Sequence, residues 1–137
     1  MSIEVIQQND LMSNSLSNIW LEIKGKGQKI LICAIYREFN ELTKEGKLTI
    51  NQQIERLKVL FLQIELAEEE GLALIIGDMN IDIEKLEDST YHLRKLANEY
   101  QLMINECGLK ILNFGPTWNR NHKDGKVLFS AVQWIML

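Results

Sequence analysis

The stretch "LALIIGDMNID", residues 72–82, decides the reading of this chain. Five apolar residues, Leu72 through Ile76, have the length and character of a buried strand, and Gly77 then allows a tight exit. Asp78, Asn80 and Asp82 follow at alternate positions. In open α/β sheets, ligands meet the chain at the carboxyl ends of strands, where short polar groups project from a fixed platform. There a carboxylate can take a proton or orient water, and an amide can hydrogen-bond a phosphoryl oxygen.

Three other readings compete on spacing alone. A calcium loop places ligands at Asp78, Asn80 and Asp82, but it requires Gly where Ile83 stands and Glu where Ser89 stands, so it fails. A nucleotide-hydrolysing strand would end in the same Asp, yet no phosphate-cradling GxxxxGK[ST] occurs in the chain. The third is a polar turn whose side chains bond to nearby backbone N–H groups. Spacing leaves this one open.

The surroundings of the stretch alternate strands and helices. "NIWLEIK" (18–24) sets Ile19, Leu21 and Ile23 against Trp20, Glu22 and Lys24, the period of a half-buried strand. "GKGQ" (25–28) reads as a hairpin turn, and "KILICAIY" (29–36) as a strand covered on both faces. Residues 37–47 are loop-like. Ile50, Ile54, Leu57, Phe61 and Ile64 form one helical stripe, with Thr49 or Asn51 as its cap and Gly71 as its end. A second helix runs through Leu93, Leu96, Ala97, Tyr100, Ile104 and Cys107 to Gly108. "LKILN" (109–113) reads as a short strand, 114–126 as a loop, and "VLFSAVQWIML" (127–137) as one final strand. The whole predicts a single α/β domain over residues 1–137, each helix covering a sheet face.

Composition limits what such a domain does. With 46% apolar and 25% charged residues and one proline among 137, the chain reads as globular. A net charge of −4 argues against strong unaided nucleic-acid binding, because Lys and Arg supply most non-specific affinity. Arg120, Lys123 and Lys126 against Asp124 make one modestly basic loop. No apolar run approaches a membrane span and the N-terminus lacks signal-peptide character, so an intracellular, membrane-free setting is expected. Cys33 and Cys107 lack zinc spacing and read as buried thiols; His92 and His122 read as surface residues. Trp20 and Trp134 are expected in the core, while Trp118 is a candidate stacking surface.

Taken in order, "ILICAIYREFN", an amphipathic helix, "LALIIGDMNID", a second helix, "CGLKILN" and "PTW" resemble the endonuclease/exonuclease/phosphatase family, in particular the endonuclease domains of LINE-type retrotransposons. The resemblance spans residues 19–135. It implies a four-layer α/β sandwich, two sheets flanked by helices, of which roughly the second half is present. It also implies magnesium-dependent cleavage of phosphate esters, with DNA as a partner. Within it, Tyr36 matches the tyrosine that bonds the scissile phosphate, and Arg37 the Arg that commonly follows. Asp78 matches the residue that positions or deprotonates the attacking water, and Asn80 the phosphate-contacting amide. Thr117, Trp118 and Ser130 fall on the substrate side. Left to itself, Tyr36 also fits simple packing at a strand end, and Arg37 a solvated charge.

Departures from the family pattern are chemical ones. Gln133 stands where the family has an Asp, and Trp134 where it often has His. The family's metal-binding Glu element and its C-terminal Asp-His pair have no counterpart here, so no metal ligand set is expected and nuclease activity should be negligible. A partial sandwich also leaves an apolar face uncovered. Self-association, or a chain supplying the other half, is expected to cover it; the competing view is a non-enzymatic interaction or weak nucleic-acid-binding module.

Overall fold

The computed structural model describes residues 2–13, 15–38, 42–43, 45–111, 118–121, 127–130 and 132–136, with side chains given for 2–13, 15–38 and 45–111. β1 (Glu4–Gln7), β2 (Asn18–Gly25) and β3 (Gln28–Tyr36) form an antiparallel ladder. Lys26 and Gly27, at φ 38° and 80°, close the β2–β3 hairpin over two residues, the geometry whose twist matches paired strands. A small hairpin follows, β4 (Leu42–Thr43) and β5 (Gly46–Lys47). It occupies part of the segment expected to be loop.

Helix α1 (Ile50–Glu70) starts where its capping chemistry dictates. Thr49 Oγ1 accepts the Gln52 N–H at 3.2 Å, and Gln52 Oε1 accepts the Thr49 N–H at 2.9 Å, so two otherwise orphaned donors are satisfied reciprocally. Gly71 ends it, and its lack of a side chain is required: a Cβ there would lie 2.6 Å from the Lys29 carbonyl oxygen. The chain re-enters the sheet as β6 (Leu72–Asp78), parallel to β3. After a 3₁₀ turn, α2 (Arg94–Glu106) packs on α1, with the Phe61 and Tyr100 rings 6.1 Å apart edge to face.

The remaining strands are β7 (Lys110–Ile111), β8 (Trp118–Asn121), β9 (Val127–Ser130) and β10 (Val132–Met136). β10 inserts between β6 and β7, giving a six-stranded sheet in the order β1-β2-β3-β6-β10-β7. β8 and β9 form a separate hairpin. The sequence between 127 and 137, expected as one strand, is therefore two strands in different sheets, and the expected loop at 114–126 contains β8. Among the described residues, a helical layer lies on the six-stranded sheet, as expected for part of an α/β sandwich.

One face of this sheet is covered by helix; on the other, the described residues are partly buried or exposed. Leu31, Cys33 and Ile35 of β3, Ala73 and Ile75 of β6, and Trp20 of β2 are buried with the α1 stripe. On β2 it is thus the Trp20 and Glu22 face that is buried, while Ile19 stays 48% exposed. Polar partners explain this: Gln63 of α1 accepts both the Trp20 indole N–H at 3.0 Å and the Asn18 amide at 2.8 Å. The opposite face carries three registered apolar rows, Ile19–Ala34–Ile76, Leu21–Ile32–Leu74 and Ile23–Ile30–Leu72. None of these nine residues is buried, so among the described residues β3 is covered on one side rather than both.

Candidate functional site

The next row beyond Ala34–Ile76 is Tyr36–Asp78. These two are direct partners at the carboxyl ends of the adjacent parallel strands β3 and β6. Pairing in register sends their side chains to the same face. Tyr36 is 55% exposed, so it does not pack at the strand end; its ring stands at the open rim. Gly77, at φ 157°, makes this closeness feasible, because a Cβ there would run into the carbonyl oxygen of Ile35.

Beyond Asp78 the chain turns sharply. Asp78 Oδ1 accepts the Asn80 N–H at 2.9 Å, and Asn80 adopts a left-handed φ of 48°, a conformation that Asn tolerates best among non-glycine residues. The polar-turn reading is therefore real, and it coexists with the rim position. Among the described residues the hydrogen bond accepted by the Asp78 carboxylate is the one from the Asn80 N–H, at Oδ1.

Arg37 is buried, 6% exposed, not a solvated charge. Its guanidinium donates to the carbonyls of Met79 and Asn80, each at 3.2 Å, and to Gln53 Oε1 at 2.8 Å. Its own N–H donates to the Asp78 carbonyl at 2.9 Å, and its carbonyl accepts the Asn80 side-chain amide at 2.6 Å. Arg37 thus ties β3 to the turn that carries Asp78 and Asn80. Gln53 completes the clamp by donating to the Leu48 carbonyl at 3.0 Å. Sequence reasoning missed Gln53; the available signal was a glutamine beside the helix's apolar stripe.

Asp82 does not join the rim. It caps the 3₁₀ turn Ile83–Glu87 by accepting the Glu84 N–H at 3.0 Å, and its own N–H donates to the Tyr91 hydroxyl at 3.0 Å. Thr117 lies outside the described residues. Trp118 and Ser130 are backbone partners across the β8–β9 hairpin. Gln133 lies opposite Gly77, and Val132 opposite Asp78, where β10 runs antiparallel beside β6.

Among the described residues no three His, Cys, Asp or Glu side chains gather in a way that would hold a metal ion. Magnesium takes near-octahedral oxygen ligation, commonly from one or two carboxylates with water and phosphate. The described rim brings the Asp78 carboxylate toward such a shell, with Oδ1 also accepting the Asn80 N–H. The thiols are not nucleophiles near neutrality. Burial pushes Cys33 up to about 12, and burial with nearby Glu65, Glu68 and Glu106 pushes Cys107 up to about 11.

No protein-family model and no curated protein matches this chain. Among solved structures, the endonuclease domain of TRAS1, a telomere-specific non-LTR retrotransposon, superposes with TM-score 0.66 at 21% identity, covering 98% of this chain and 55% of that one. A functionally unknown protein from Enterococcus faecalis V583 gives 0.48 at 10% identity over 99% of this chain and 53% of that one. TDP2 from D. rerio, complexed with a single-stranded DNA product, gives 0.45 at 14% over 99% and 51%. The chain spans about half the length of each. The first of these matches establishes the fold, that of the endonuclease/exonuclease/phosphatase type. Among the described residues no helix is long and apolar enough to cross a membrane.

Proposed function

We propose that this chain is a retroelement-type, endonuclease-like domain whose rim contacts a phosphodiester of DNA. The observation that carries this reading is the Tyr36–Asp78 row, which sets a half-exposed phenol beside a carboxylate where two parallel strands end. The phenol O–H donates to a phosphate oxygen, and Asn80 offers the second hydrogen of its amide. Asp78 Oδ2 orients a water toward phosphorus as a general base. Arg37 contributes from behind, by fixing the turn.

Cleavage by this chain alone is proposed to be negligible. One rim carboxylate supplies little of the charge stabilisation that phosphodiester hydrolysis demands, and Gln133 stands in the sequence where the resembling family has an acid. Thr117, Trp118 and Ser130 are proposed to flank the strand on the substrate side. The nine-residue apolar face is proposed to pair with a second copy. An uncharged patch complements itself across a two-fold axis without like-charge repulsion.

The test is supercoiled-plasmid nicking with magnesium, alongside fluorescence anisotropy of a short DNA single strand. The reading expects no nicking above background, and binding weakened about 10- to 100-fold by Tyr36→Phe, the scale of one hydrogen bond to a charged group. Robust nicking abolished by Asp78→Asn would refute the inactivity. Binding unchanged by Tyr36→Phe would instead favour the rival view, a non-enzymatic interaction module.

A further inference from the structure

Behind the rim, on the α1 side of the sheet edge, lies a cavity of about 200 Å³ between the end of β3, the first half of α1 and the segment leading into β2. Its inner wall is apolar: Leu16, Ile35, Leu57, Leu60 and Met79. Ser15, Ser17, Glu38 and Arg56 bring hydroxyls, a carboxylate and a guanidinium to the remainder. Tyr36 and Arg37 line it too, so it adjoins the rim directly.

That lining selects for an amphipathic, planar occupant. A bare phosphate would lose its hydration against five apolar side chains, and a hydrocarbon would make no use of the polar groups at the cavity's edge. A heteroaromatic ring meets both demands, its faces against the aliphatic wall and its edge toward groups that both donate and accept. The volume suits one such ring system and is smaller than pockets for drug-sized ligands.

The geometry points to this cavity as a nucleobase pocket, filled by the base of a nucleotide whose phosphate lies at Tyr36 and Asp78. The inference rests on the phosphodiester reading of the rim. Its physical content is that a single strand crosses the sheet edge there, phosphate on the Tyr36 face and base on the helix side. Arg37, which fixes the Asp78–Asn80 turn and lines the cavity, joins the two subsites. Base and phosphate recognition are thereby separable in position while sharing one structural support.

The experiment titrates the protein with a thymidine pentanucleotide and with a fully abasic backbone of equal length, followed by amide NMR. The pentanucleotide should move Leu16, Gln53 and Leu57 in addition to Tyr36, Asp78 and Asn80, and should bind about 10-fold tighter than the abasic strand, within the range for stacking one base. Filling the cavity with Leu16→Trp should reduce thymidine binding to the abasic level. Leu57→Phe, acting from the helix, gives a second variant should the first not fold. Equal affinities, with shifts confined to Tyr36, Asp78 and Asn80, would overturn the pocket and leave the rim reading standing. Absence of any binding at those three residues would overturn both.

Discussion

Arg37 and Asn80 hold each other across the sheet edge: the guanidinium donates to the Asn80 carbonyl at 3.2 Å, and the Asn80 side-chain amide donates back to the Arg37 carbonyl at 2.6 Å. Truncating Arg37 leaves the Met79 carbonyl and Gln53 Oε1 short of a donor inside the protein. Arg37→Ala should therefore cost about 3 kcal/mol in urea unfolding, the scale for removing one member of a buried charged network. Arg37→Lys should recover less than half, because an ammonium cannot reproduce the planar fork. A loss below ~1 kcal/mol for the alanine variant would show that the clamp is dispensable.

The Tyr100 hydroxyl is buried and has no hydrogen-bond partner among the described residues, while burial pushes its ionisation upward. An unsatisfied buried hydroxyl costs about 1–3 kcal/mol. Tyr100→Phe keeps the edge contact with Phe61 and removes that cost. The variant should unfold at the same temperature or higher. A destabilisation above ~1 kcal/mol would mean that the hydroxyl has a partner after all.

Glu22 is buried on the helix-covered face beside two lysines, at 3.1 Å from Lys24 and 3.3 Å from Lys29. Desolvation pushes its carboxyl up, but hydrogen bonds and charge from Lys24 and Lys29 outweigh it and hold the group below its usual 4.5. A carboxyl lowered in the folded state stabilises above its unfolded pKa and ceases to do so as pH falls through the folded value. Urea midpoints measured from pH 7 down to 3 should show wild type ahead of Glu22→Gln near neutrality, with the gap shrinking below about pH 4.5. A gap that widens on acidification would reverse the sign and contradict the assignment.

The apolar sheet face gives a fourth expectation. Ile32 sits at the centre of its three rows, between Leu21 and Leu74. Light scattering should find twice the chain mass for wild type, and Ile32→Lys should shift it to the monomer by setting two ammonium groups against each other across the two-fold. A monodisperse wild-type monomer would remove the second copy from the account.

Much of this fold was legible because local signals agreed with one another. The apolar run ending in Gly77, the Thr49 cap and the Gly71 and Gly108 stops each carry their own geometry. Burial side was less legible: alternation in 18–24 shows two faces but not which one meets a helix, and Gln63 decides it from a distant element. The role of Arg37 was hidden for the same reason, since its acceptors lie on β6's turn and on α1. The break between β9 and β10 was illegible because 127–137 reads as one apolar run, and only pairing separates the strands. Tyr36, Asp78 and Asn80 were found by pattern, and register brought the first two together.

Amide chemical shifts during titration with dimethyl phosphate test the central claim most directly, because this probe carries a phosphodiester and no base. The account predicts shifts centred on Tyr36, Asp78 and Asn80, diminished in Tyr36→Phe. Shifts centred instead on Lys24, Lys26 and Lys29 at the β2–β3 hairpin, with the rim unmoved, would contradict it.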